Sequence, residues 1–109
     1  MILIGKAKED FESWLYSNDV LIKDGIYDDT YLIEVFDELP LNLQYASIIE
    51  WFDSVGIYVN SSGLTLSKAF ISDVSVDNNC EYNYDGFRTR KEALIEAIKK
   101  ANEIYNEKK

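Results

Sequence analysis

Between Tyr45 and Val59 the hydrophobic pattern changes its period. Tyr45, Ile48, Phe52 and Val55, with Ile49 beside them, repeat at helical spacing. After Gly56 the spacing drops to two, with Ile57 and Val59 on one side and Tyr58 and Asn60 on the other. The pattern predicts a buried helix over Leu41 to Val55 that hands over to a buried strand through one glycine. Upstream, Ala7, Phe11, Trp14 and Leu15 form one stripe of an amphipathic helix from Lys6 to Ser17, while Lys8, Glu9, Glu12 and Ser13 face away. Asn18 and Asp19 are poor helix formers and close it. Val20 to Asp29 suits a small hairpin with Asp24-Gly25 as its turn, and equally an irregular loop. Thr30 caps a short helix from Tyr31 to Glu38, with Leu32, Val35, Phe36 and Leu39 apolar; Pro40 ends it and starts the next.

Downstream of Gly56 the pattern predicts three strands. Asn60-Ser61-Ser62-Gly63 reads as a turn after the first. Leu64 to Val76 then alternates over an unusually long strand, with a bulge expected near Lys68 to Ser72. Asp77-Asn78-Asn79 turns the chain, and Cys80, Tyr82 and Tyr84 alternate with Glu81, Asn83 and Asp85 until Asp85-Gly86 ends the sheet. The result is an antiparallel meander with one apolar face and one polar, acidic face. Thr89-Arg90-Lys91-Glu92 matches a capping box. It opens a last helix to about Asn106, whose apolar side is Ala93, Leu94, Ala97, Ile98, Ala101, Ile104 and Tyr105. The expected fold class is α+β: N-terminal helices, a three-stranded antiparallel meander and a C-terminal covering helix, in a single domain over residues 1–109.

Charge sharpens this picture. The 109 residues carry twenty acids and eleven bases, a net charge of −9. Residues 1–87 hold sixteen acids against four lysines, or −12, whereas residues 88–109 hold seven bases against four acids, or +3. The last helix is thus the one basic element of an acidic body, and part of this must be internal neutralisation. An acidic surface repels nucleic acid and anionic membrane and attracts basic partners. Cys80 is the sole cysteine, so no intrachain disulfide forms and a reducing, cytoplasmic setting is expected. Met1 to Ile4 is apolar but far too short for a signal peptide or a membrane span. The chain has no histidine, the commonest general base and metal ligand, which counts against an enzyme.

Few stretches point to chemistry. Asp24, Asp28, Asp29, Glu34, Asp37 and Glu38 follow one another with no base among them, and Glu50 and Asp53 add a pair one helical turn apart. A rigid array of carboxylates offers charge and acceptor groups resembling those of phosphates; the ordinary alternative is two solvated helix faces. Arg88, Arg90 and Lys91 stand at a helix N-terminus, where the dipole disfavours cations. They suit either an anion site or pairing with Asp85, Glu81 or acids of the opening helices. Glu81, Asn83, Asp85, Gly86 and Glu92 match part of a calcium loop. Against that match stand Glu at the first ligand position, a strand as the entering element and Arg88 at an apolar position. Trp14, Phe52, Tyr82 and Tyr84 read as core. Trp51 and Tyr58 fall beside the buried stripe or on the outer sheet face, and a flanking Trp51 suits a binding anchor. No Ser/His or Cys/His arrangement, P-loop or dinucleotide fingerprint is present, and neither a catalytic residue, a metal nor a cofactor is expected.

Two stretches carry a resemblance. Glu50 to Val59 (EWFDSVGIYV), preceded by Glu38 to Ala46 (ELPLNLQYA), resembles a segment of small uncharacterised phage and prophage proteins of Bacteroidetes-type bacteria. Phe87 to Asn106 (FRTRKEALIEAIKKANEIYN) is similar to the terminal "TR-x-EA…AI-x-KANE-x-YN" helix of the same proteins. The resemblance implies one domain of phage origin and carries no activity. Joined to the charge map, it leads to the expectation of an anti-defence, anti-CRISPR-like inhibitor. Such a protein would bind a large basic host effector and block its use of nucleic acid. Glu34, Asp37, Glu38, Glu50 and Asp53 would face the partner's basic channel, with Trp51 as anchor. The alternatives are a small RNA-binding module, since the order helix, three strands, helix resembles the double-stranded-RNA-binding domain, and a self-associating accessory phage protein.

Overall fold

The computed structural model describes residues 1–18, 36–64 and 69–108. Its elements in order are α1 (Gly5–Asn18), α2 (Leu41–Ser54), β1 (Ile57–Leu64), β2 (Ala69–Val76), β3 (Asn79–Phe87) and α3 (Arg90–Lys108). The three strands form one antiparallel sheet in the order β1-β2-β3, so the fold is α+β as the periodicity predicts. The hairpin proposed for Val20 to Asp29 and most of the short helix from Tyr31 lie outside the described residues; 36–38 are helical.

The central helix and its exit follow the pattern closely. Pro40 stands at the N-cap of α2, and its carbonyl accepts from the amides of Leu43 and Gln44. Gly56 follows the helix with φ +82, a left-handed conformation that suits glycine, and its amide donates to the Asp53 carbonyl. Ile57 and Val59 then enter the core from β1.

The sheet departs from simple alternation in three places. Asn60 to Gly63 does not turn but continues β1, paired in register with Asp73 through Phe70. A complete ladder with β2 outweighs the local turn preference of these polar residues. The β2–β3 turn is shorter than expected. Asp77 and Asn78 alone form it, with φ values of 51 and 68, and Asn79 already pairs with Val76. Positive φ at both central positions matches the right-handed twist of the strands. Third, β3 carries two register shifts. Asp85 and Gly86 together stand opposite Ile71, and Glu81 is the extra residue beside the Val74–Ser75 step. The shift at Glu81 puts Cys80 opposite Ser75, while Tyr82 stays opposite Val74, so Cys80 leaves the apolar face on which alternation placed it. The bulge at Gly86 (φ +95) carries β3 on to Phe87, beyond the stop expected at Asp85-Gly86.

Helix α3 covers the inner face of this sheet. Arg90 lies over the Phe70 ring at 5.4 Å, and Lys100 lies over the Tyr82 ring at 6.0 Å. These two contacts bracket the stripe Ala93, Ala97, Ala101 and Ile104, which therefore faces the strands. The three alanines are fully buried, and their small side chains allow close approach to the sheet. The helix is started by Thr89, whose Oγ1 accepts the amide of Glu92 at 3.1 Å, the forward half of the capping box. Above α3 sits α1, and the space between the helices is aromatic. Phe11 is fully buried and meets Phe36 at 5.3 Å and Trp51 at 5.8 Å; Trp51 meets both Phe52 and Tyr105 at 4.9 Å.

What seats α1 is polar. Its first turn has no capping side chain of its own, since Ile4 precedes it. Two asparagines of α3 supply the missing groups. The Ile4 amide donates to Asn102 Oδ1 at 2.9 Å, the Ala7 amide donates to Asn106 Oδ1 at 2.7 Å, and Asn106 Nδ2 donates back to the Ile4 carbonyl at 3.0 Å. Gly5 has φ +68, which favours glycine, and a Cβ there would stand 2.8 Å from Asn106 Nδ2 and push aside the amide that holds α1. One turn further along, the Tyr105 hydroxyl donates to Asp10, which also pairs with Lys6 at 3.1 Å. The Tyr105 pKa is pushed up to about 12, by burial first and then by its bond to the Asp10 carboxylate and the charge there.

Asn102→Ala and Asn106→Ala should each cost about 1–2 kcal/mol in urea unfolding, as lost helix caps do. Hydrogen exchange should quicken at Ile4 and Ala7 before it changes in the sheet. Tyr105→Phe should cost about 1–2 kcal/mol near neutral pH, because it removes a hydrogen bond to a charged group. A raised tyrosine pKa means that the unfolded chain loses the proton first, near pH 10. Wild-type stability from this group is therefore full below pH 10 and is lost toward pH 12, so the gap to Tyr105→Phe should close across that window.

Candidate functional site

Of the acidic residues singled out in the sequence, Asp37, Glu38, Glu50 and Asp53 lie on α2 and the turn before it, and Asp24, Asp28 and Asp29 lie outside the described residues. Gln44 is buried within α2, and its Nε2 donates to the carbonyls of Asp37 (3.1 Å) and Leu39 (2.9 Å). That pair of bonds fixes the turn carrying Asp37 and Glu38 against the helix. Asp37 meets the amino group of Met1 at 3.6 Å. Glu38, Glu50 and Asp53 are exposed and form no ion pair among the described residues. Glu50 and Asp53 lie three residues apart on the solvent side of α2, opposite its buried face of Gln44, Tyr45, Ile48, Trp51 and Phe52. Glu34 lies outside the described residues.

Trp51 is not where a binding anchor must be. It is only 2 % exposed and is enclosed by Phe11, Phe52 and Tyr105. The cause is α1 and α3. The apolar pattern of α2 alone defines one buried stripe, but the helix packs against the sheet and also against α1, so its buried arc widens to take in Trp51. Gln44 is buried on the same flank, where its amide meets the Asp37 and Leu39 carbonyls. Tyr84 also differs from its reading as core, because it sits on edge strand β3 and is 60 % exposed, its ring 5.6 Å from that of Phe87. Tyr82 and Trp14 are half-buried against the core.

The basic cluster divides. Among the described residues Arg90 has no carboxylate partner; its Nη1 donates to the Ser61 carbonyl at 3.1 Å while the guanidinium lies over Phe70. Glu81, a partner considered for it, instead takes Lys108 at 3.3 Å. Arg88 and Lys91 are exposed and have no ion pair among the described residues. The stretch resembling a calcium loop is strand as far as Phe87, so its carboxylates do not converge, and among the described residues no cluster of metal-ligating side chains occurs.

One feature was not legible in the sequence. A groove of about 650 Å³ runs between the N-terminal halves of α2 and α3, lined by Leu41, Asn42, Tyr45, Ala46, Ile49, Arg90, Lys91 and Leu94. Its walls are mostly apolar, and the two charged groups among the described lining residues are both cations. The spacing Leu41, Tyr45, Ile49 was visible as part of a helix stripe, but nothing in it revealed that α3 would stand apart there.

No protein-family model, curated protein or solved structure matches the chain. The residues of the "KANE-x-YN" stretch have structural work in this fold, since Asn102, Tyr105 and Asn106 are the clamp on α1. No helix among the described residues is long and apolar enough to cross a membrane.

The position of Trp51 is open to a direct check. With Trp14 replaced by Phe, the remaining tryptophan emission should resist acrylamide quenching in the folded protein and become readily quenched in urea. Ready quenching of the native state would place Trp51 at the surface.

Proposed function

We propose that this protein is a phage-encoded anti-defence inhibitor, which occupies a basic nucleic-acid channel of an RNA-guided host nuclease with its own carboxylates. The observation that carries the reading is the state of the acids on and before α2. Glu50 and Asp53 on α2, and Glu38 before it, stay exposed with no internal ion pair among the described residues, and the helix is held by the buried core. Carboxylates consumed by internal bridges would have little attraction left for a partner. In a chain of net charge −9, these acids give steering toward a basic surface and a fixed pattern on arrival. The contact surface consists of Glu38, Glu50 and Asp53, with Glu34 adjoining in sequence; Asp37 beside them is partly neutralised by the Met1 amino group, and Trp51 serves beneath as packing.

A second reading, a small RNA-binding module, is favoured by the order α2, three antiparallel strands, α3 and by exposed Arg88 and Lys91 at the start of α3. Arg90 is already engaged with Ser61 and Phe70, and the acidic body opposes phosphates.

Purified RNA-guided nucleases of bacterial defence systems provide the test. Addition of the protein should suppress guide loading or target cleavage, more strongly at 50 than at 300 mM salt. Glu50→Lys with Asp53→Lys should weaken inhibition by about tenfold or more, roughly 1.4 kcal/mol. Glu107→Lys, at the far end of α3, should leave it within about twofold of wild type. Loss of inhibition in none of these variants would remove the acidic surface from the mechanism. Retention of RNA in a low-salt gel shift, without nuclease inhibition, would select the second reading.

A further inference from the structure

We infer that the groove between α2 and α3 is a binding site for a small amphipathic carboxylate, an apolar chain bearing one anionic head. The inference is independent of the acidic surface, because none of its residues belongs to that surface. Its basis is the unusual composition of the lining. The chain holds twenty acids, yet none lines the groove among the described residues, where the charged groups are Arg90 and Lys91. On a protein of net charge −9, an apolar recess that gathers cations alone is complementary to an anion.

The geometry separates the two halves of such a ligand. Leu41, Tyr45 and Ile49 recur every fourth residue and so form a continuous apolar wall along α2, about 12 Å long at 1.5 Å per residue. Ala46 adjoins it without filling the space, and Leu94 closes the α3 side. Leu41 remains 47 % exposed, so this end of the wall is open, while buried Tyr45 and partly buried Ile49 form the floor against the core. The volume of about 650 Å³ falls in the range of small-molecule sites. At one end of the α3 wall stand Arg90 and Lys91. The Arg90 guanidinium is held by the Ser61 carbonyl and the Phe70 ring, which orders it while leaving most of its five donors for a ligand. Lys91 is exposed without an ion pair among the described residues. The dipole of α3 acts in the same direction. A carboxylate at the cations with its chain along Leu41, Tyr45 and Ile49 satisfies both halves.

Sodium octanoate titrated into the isotope-labelled protein, followed by NMR, is the test. Octanoate should shift the methyl signals of Leu41, Ile49 and Leu94 saturably, as one site. 1-Octanol should bind at least fivefold more weakly, and octyltrimethylammonium more weakly again. Lys91→Glu should reduce octanoate affinity at least fivefold. Ala46→Trp, at an exposed position, should fill the recess and abolish binding while circular dichroism and Tm show an intact fold. Equal binding of octanol and octanoate would overturn the inference, as would octanoate affinity unchanged by both substitutions, or an absence of saturable shifts at these methyls.

Discussion

The structure rests on the way α3 satisfies the opening backbone of α1. A helix leaves its first amides without intrahelical partners, and burying such groups unpaired costs about as much as a good hydrogen bond contributes. Here Asn102 and Asn106 meet them from almost a hundred residues away, while Asn106 also returns a bond to the Ile4 carbonyl. Because these bonds are directional, they fix both the position of α1 along α3 and its rotation. Phe11 is thereby delivered to one place, between Phe36 and Trp51. The aromatic cluster supplies area but little direction; the asparagines supply direction.

From that seat the rest can be traced. With α1 in place, Trp51 is buried against Phe11, and Gln44 on the same flank of α2 uses its amide to hold the preceding turn by two carbonyls. The opposite side of α2 is left to solvent with Glu50 and Asp53. Leu41, Ala46 and Ile49 occupy a third side, turned toward the start of α3, with Tyr45 at its border with the buried face. One helix thus presents an acidic face and, around the corner, an apolar recess with a cationic end. The two surfaces attract opposite charges and share no residue, so they are chemically separable.

Much of this was legible from pattern. Period-two alternation located the strands, since side chains of neighbouring residues leave a sheet on opposite faces. The switch at Gly56 marked the end of α2, and Thr89 marked the start of α3. Alternation failed for Cys80 because a single inserted residue, Glu81, reverses the facing of everything before it. It failed at Asn60 to Gly63 because turn preference is local, whereas the pairing of β1 with β2 is a ladder of bonds to residues further along the chain. Trp51 was misplaced because one helix's periodicity shows only the centre of its buried arc. The width depends on how many neighbours pack against it. Of the candidate sites, the acids were visible by composition, and the groove was not, because a recess is a property of two helices and the gap between them.

The amino-acid sequence by itself determined the order of the elements, the α+β class, the excess of carboxylates and the lack of histidine. Each is a property of residue type or of near-neighbour spacing, and the backbone geometry of helix and strand converts both directly into faces. Only the tertiary structure decided which carboxylates stay unpaired, that Arg90 reaches Ser61 and Phe70 instead of an acid, and that Asn102 and Asn106 cap α1. These depend on distances between segments remote in the chain. Such distances are set by the packing of the whole core, and no local pattern encodes them.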